Sequence, residues 1–257
     1  MFDNSTVSLN NSIVSELLCT CNSKLNLKNV IYKGDCGPFW IWGNSIVYAE
    51  NSIFLEEDPT DLNPIVYIRD NGLIVLYESY IYTDIYIEDQ GIMILLNSET
   101  FREPILIDKS HLWYASIDSP STGKSNSSIP ITGSAFIKDS YGKTNAFYGY
   151  QLFYASPPNY NFKAIGNLKK KPIYNDILGY WDTKDLKKGL YLLRLTIRDK
   201  YNNNVSTYWK IQLEEKKNKD LIEYILFRVI RHFNTPIIKY LMMHYYPYNN
   251  KYQTYNS

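Results

Sequence analysis

The chain has 257 residues, with 27 Lys and Arg against 26 Asp and Glu, and 16% of its residues are aromatic. That length admits one large β domain or two small ones. The near balance of charge excludes a whole-chain polyanion binder, so no nucleic-acid partner is expected. The many Tyr and Ile residues favour strands, because flat and branched side chains suit a pleated surface.

The opening stretch, MFDNSTVSLNNSIVSELLCTC, carries an early acid and no basic region before an apolar core, and so does not read as a secretory signal. No apolar run reaches the ~18 residues of a membrane span. Cys19, Cys21 and Cys36 lack the usual ligand spacing and have no His near them in sequence. They read as structural or incidental thiols, and no metal is expected.

Residues 1–115 read as a strand-rich region. SIVYAENSIFLEE, PIVYIRDNGLIVLYES and GIMILLNSE are apolar runs broken by Asn-Gly or Gln-Gly. Asp70-Asn71-Gly72-Leu73-Ile74-Val75-Leu76 is echoed by Asp89-Gln90-Gly91-Ile92-Met93-Ile94-Leu95 and, more weakly, by Trp42-Gly43-Asn44-Ser45-Ile46-Val47-Tyr48. A polar turn feeding an apolar strand predicts a meander, either hairpins in a stack or propeller-like repeats. The acids Glu56-Glu57-Asp58 and Glu88-Asp89 read as loop residues, since neighbours on a strand point to opposite faces.

A Ser-, Gly- and Pro-rich stretch at 116–128 marks a boundary. In residues 116–213, Tyr191, Leu193, Leu195 and Ile197 alternate with polar partners after the turn Leu186-Lys187-Lys188-Gly189. Period two predicts a half-buried antiparallel strand, and the Asn-rich segment before VSTYWKIQL predicts a hairpin. Tyr191 fits a corner tyrosine whose hydroxyl bonds back to the upstream backbone. Tyr148, Tyr150, Leu152 and Tyr154 are assigned to one strand face.

This segment resembles the immunoglobulin/fibronectin type III-like domains appended to bacterial multidomain envelope proteins. The resemblance rests on Ile117, Ser119-Pro120, Ile131-Thr132-Gly133-Ser134-Ala135, Tyr150, Leu152, Tyr154, Leu178, Trp181-Asp182-Thr183, Leu186, Gly189, Tyr191, Leu193-Arg194-Leu195 and Asp199. It departs after Asp199, where Asn202-Asn203-Asn204 stands in place of a Gly-containing turn. It implies a mainly β chain with an antiparallel β-sandwich over 116–213, and a spacer or binding module located at the envelope or a membrane periphery. Trp181 reads as core and Asp182-Thr183 as a turn cap.

In residues 214–257, Leu221, Ile222, Ile225, Leu226, Val229, Ile230 and Phe233 form one helical stripe, and Pro236 opens a second. C-terminal amphipathic helices are therefore expected. No catalytic residue and no cofactor is expected: no nucleophile elbow, phosphate loop or His-Glu-x-x-His occurs, and His111, His232 and His244 lie far apart. The functional expectation is a non-enzymatic interaction or scaffolding protein that contacts a protein or membrane partner through Arg194, Arg198, Arg228, Arg231 and Lys239. The alternative is a glycan-binding accessory module of an envelope enzyme system, using Trp40 and Trp42.

Overall fold

The structure is a computed structural model that describes residues 5–34, 38–55 and 66–214. The chain winds as a β-solenoid. The first coil holds β1 (Thr6–Asn10), β2 (Ile13–Val14) and β3 (Leu18–Cys19), and the second β4 (Lys24–Lys28), β5 (Ile31–Lys33) and β6 (Phe39–Ile41). The third holds β7 (Ile46–Glu50), β8 (Ile53–Leu55) and β9 (Val66–Ile68), and the fourth β10 (Leu73–Tyr77), β11 (Tyr80–Tyr82) and β12 (Ile85–Ile87). The fifth holds β13 (Ile92–Leu96), β14 (Glu99–Thr100) and β15 (Ile105–Leu106). Each strand pairs in parallel with its counterpart in the next coil, building three parallel ladders. Equivalent residues of successive coils are 18, 22, 27 and 19 apart.

Alternation explains the coil cross-section. Leu25, Val47, Ile74, Met93 and Leu112 occupy one inward rung position of the first ladder, with Tyr32, Phe54 and Ile81 on the second and Ile41, Ile68 and Ile87 on the third. Burying each contributes about 1.5–3 kcal/mol. Tyr32, Phe39 and Phe54 pack together with ring centroids 5.6–6.1 Å apart.

Corners are made by residues that accept positive φ. Asn11, Asn29, Asn51, Glu78 and Asn97 (φ 48–54°) turn the chain out of the first ladder, and Cys21, Gly43, Asp70, Asp89 and Asp108 turn it back in. Asn tolerates this conformation, and here its amide also bonds from coil to coil: Asn29 Nδ2 donates to Asn11 Oδ1 (2.9 Å) and Asn51 Nδ2 to Asn29 Oδ1 (2.8 Å). A buried serine stack runs beside it. The hydroxyls of Ser52, Ser79 and Ser98 accept from the backbone N–H of Val30, Ser52 and Ser79 at 3.0–3.2 Å, so the corner amides do not go unpaired.

Beyond the fifth coil come β16 (His111–Ser119), β17 (Thr122–Lys124), β18 (Ser128–Asp139), β19 (Phe147–Ala155), β20 (Lys163–Lys169), β21 (Ile173–Asp182), β22 (Gly189–Asp199) and β23 (Asn204–Glu214). β16 is the sixth rung of the first ladder, and β18 and β21 extend the same sheet by antiparallel pairing to eight strands. A second sheet, ordered β17-β23-β22-β19-β20, has its core side against the outward face of the long one. Ile94, Leu96 and Trp113 from the solenoid sheet thus share a core with Leu152, Leu193, Leu195 and Ile211.

These pairings correct the fold expectation. The chain is a β-solenoid of stacked parallel coils, not an immunoglobulin/fibronectin type III-like antiparallel β-sandwich preceded by a meander. The strand meant to open the sandwich is the last rung of the solenoid, and the sheet it belongs to is the solenoid's own. Period two reports one buried face; it does not report which sheet buries it. The Asn-Gly segments are coil corners, not hairpin turns. Local readings within residues 116–213 fare differently. β22 and β23 pair as a hairpin, Tyr191 Oη donates to Lys187 O (2.9 Å), and Trp181 is buried against Tyr154 and Tyr191. Asp182 accepts from Lys184 N (2.9 Å), capping its turn. Tyr148 leaves the face of Tyr150 because the pairing is irregular between Phe147 and Gly149, and it is exposed. The expected helices, with Arg228, Arg231 and Lys239, lie outside the described residues. No helix occurs among the described residues.

Candidate functional site

The inward face of the solenoid sheet does not end with the fifth coil. β16 sets Leu112 and Tyr114 inward above Met93 and Leu95, and the antiparallel register sets Phe136 of β18 beside Tyr114 and Lys138 beside Leu112. No further coil covers them among the described residues. The result is a cleft of about 670 Å³ lined by Leu95, Leu112, Pro104, Phe136 and Ile173, which opens into a second hollow of about 420 Å³. Thr100, Tyr114 and Tyr174 line both.

One wall is a row of rings from three strands. Tyr114 and Phe136 stack with centroids 5.1 Å apart and planes 5° off parallel, and Tyr174 tilts against Phe136 at 5.8 Å. Tyr174 is 69% exposed. The hollow end is polar, lined by Glu99, Asp118 and Asn175. Burial, and then the charges of Asp118 and Glu99, push the Tyr114 phenol up to about 12. Its hydroxyl therefore stays protonated at neutral pH. Glu103 is neutralised by Lys138 at the apolar end, so the carboxylates of Glu99 and Asp118 set the sign of the polar end. The cleft combines an aromatic wall with anionic charge at one end.

The sequence-predicted residues fall elsewhere. Trp40 belongs to an outward row on the third ladder, stacked on Tyr67 at 4.3 Å, with Tyr67 against Tyr86 at 5.5 Å. Trp42 tilts against Trp40 at 6.0 Å and is 40% exposed. Arg194 and Arg198 lie on the outer face of the second sheet, Arg194 half-buried and Arg198 exposed. Neither group lines the cleft or the hollow. Sequence reasoning missed Tyr114, Phe136, Tyr174, Glu99 and Asp118. The available signal was the alternation of HLWYASIDS, which places Leu112 and Tyr114 on one face, but nothing in the string tells that this face is left open.

Among the described residues, no group of three His, Cys, Asp or Glu side chains is placed to hold a metal. Cys19 is buried and Cys21 exposed. No family model matches the chain, and no curated protein or solved structure matches it either.

Proposed function

We propose that the chain is a non-enzymatic interaction protein that holds a segment of a protein partner in the cleft beyond the fifth coil. The occupant presents an apolar or aromatic side chain beside a basic one. The observation that carries this is the uncovered ring row Tyr114–Phe136–Tyr174 ending at Glu99 and Asp118. A ring laid along the row gains area burial plus about 0.5–1.5 kcal/mol from aromatic geometry. A Lys or Arg beside it meets two carboxylates that face no cation inside the hollow. The glycan reading at Trp40 has less support. Trp40, Trp42 and Tyr67 form an outward row that lines neither the cleft nor the hollow.

The test is fluorescence anisotropy with a labelled peptide of alternating Phe and Lys. Asp118→Asn with Glu99→Gln is expected to weaken binding about tenfold, equivalent to ~1.4 kcal/mol. Tyr174→Ala, at an exposed position that leaves the core intact, is expected to weaken it severalfold. Binding of equal strength to wild type and to both variants overturns the reading.

A further inference from the structure

We propose that the outer face of the second sheet carries an oxyanion site centred on Arg194, which takes a carboxylate from an acidic segment of a protein partner. The site stands apart from the cleft and does not depend on it. Arg194 sits mid-strand on β22, with Phe153 of β19 and Tyr208 of β23 directly opposite it in register. Its guanidinium carbon lies 4.3 Å from the ring centroid of Phe153 and 4.2 Å from that of Phe162, the residue just before β20. Tyr208 packs beside Phe162 at 6.1 Å. No carboxylate among the described residues pairs with Arg194, and its buried Nε has no hydrogen-bond partner among them. Arg198 and Lys210 stand exposed on the same face.

The chemistry follows from the shape of the cation. A guanidinium is planar and donates only in its plane, so its two faces are its weakly hydrated sides. Rings close to the guanidinium displace water from it without using any in-plane donor. What remains is the edge of the fork, which matches two oxygens of a carboxylate. The rings also hold the side chain in one orientation, which removes part of the ordering cost that an exposed Arg pays on binding. A purely structural cation–π cluster would need only charge and contact area. The unpartnered Nε, with Arg198 and Lys210 on the same face, points to a ligand as well.

The probe is a poly-glutamate dodecapeptide, with inorganic phosphate as a second arm, read by titration calorimetry and by the NMR signal of the Arg194 Nε–H. The peptide is expected to shift that signal saturably. Arg194→Lys, which keeps the charge and loses the fork, is expected to weaken binding at least tenfold. Phe162→Leu is expected to weaken it severalfold while the melting temperature of the chain stays close to that of wild type. An unmoved Nε–H signal, equal binding by Arg194→Lys, or a response to phosphate with none to the peptide would each overturn the proposal.

Discussion

At the scale of single residues, the corner asparagines do two jobs at once, and these can be separated. Asn29 holds φ 54° and spans two coils, donating to Asn11 and accepting from Asn51. Ala at this position loses both amide bonds and meets the ~1–2 kcal/mol cost of a left-handed residue with a Cβ. Gly loses the bonds but keeps the backbone. These bonds are exposed, so each contributes at the low end of ~0.5–1.5 kcal/mol. Asn29→Ala is therefore expected to lower stability by about 2–3 kcal/mol, and Asn29→Gly by about 1 kcal/mol, in urea midpoints at constant m. Equal losses would assign the whole effect to the ladder. The turn at the end of β22 follows related chemistry. Asp199 accepts from the N–H of Tyr201 and Asn203, and Asn202 takes φ 72°, where the equivalent turn after Asp139 uses Gly142 at 69°. The Asn run that departs from the expected Gly-containing pattern is thus sufficient for the same geometry.

Elements were legible in part. The apolar runs SIVYAENSIFLEE, PIVYIRDNGLIVLYES and GIMILLNSE do lie on strands, but each is split by a corner into strands of two different ladders: β7 and β8, β9 and β10, β13 and β14. Asn and Gly at φ > 0 serve both an antiparallel reversal and a solenoid corner, so the residue type alone cannot choose between them. The choice depends on whether the next run pairs sideways or one coil away, which is a property of register. Three strand tyrosines, Tyr150 buried and Tyr77 and Tyr114 half-buried, make stability pH-dependent. Tyr77, Tyr114 and Tyr150 are each pushed up to about 12, mainly by burial, and Tyr150 Oη donates to Leu178 O at 2.9 Å. In the unfolded chain these phenols ionise near their ordinary 10. Between about 10 and 12 the unfolded state sheds protons that the folded state keeps. Their stabilising contribution is therefore intact below pH 10 and lost as the pH rises toward 12. Denaturant midpoints measured from pH 8 to 11.5 are expected to fall above pH 10, and more shallowly in Tyr150→Phe. The share of phenolate absorbance that Tyr150→Phe removes should be a share that rises late, together with unfolding.

For the whole molecule, the repeat was the hardest feature to see, although its echoes at Gly43, Asp70 and Asp89 were in plain view. Solenoid rungs need equal geometry, not equal length. The five coils, of 18, 22, 27, 19 and 19 residues, take up their differences outside the first ladder, and that hides the period from a search by fixed spacing. The same architecture fixes how stability is distributed. In a stack of coils each unit is held mainly by its neighbours. Among the described residues the first coil has a neighbour on one side only, and its Val7, Ile13 and Leu18 are 47%, 67% and 45% exposed. The fourth coil has neighbours on both sides and the fifth is continued at β13 by β16, and on their outer face Val75, Ile94 and Leu96 pack into the core shared with the second sheet. β16 belongs to the parallel ladder and to the antiparallel extension at once, so opening it breaks both. Hydrogen-exchange mass spectrometry is therefore expected to show protection rising from β1 through β13 and continuing without a step across residues 111–119 into β18. A drop in protection at 115–116 would mean that the shared strand does not couple the two halves, and that the second sheet opens on its own. A flat profile from β1 onward would mean that the first coil gains its second neighbour from another surface.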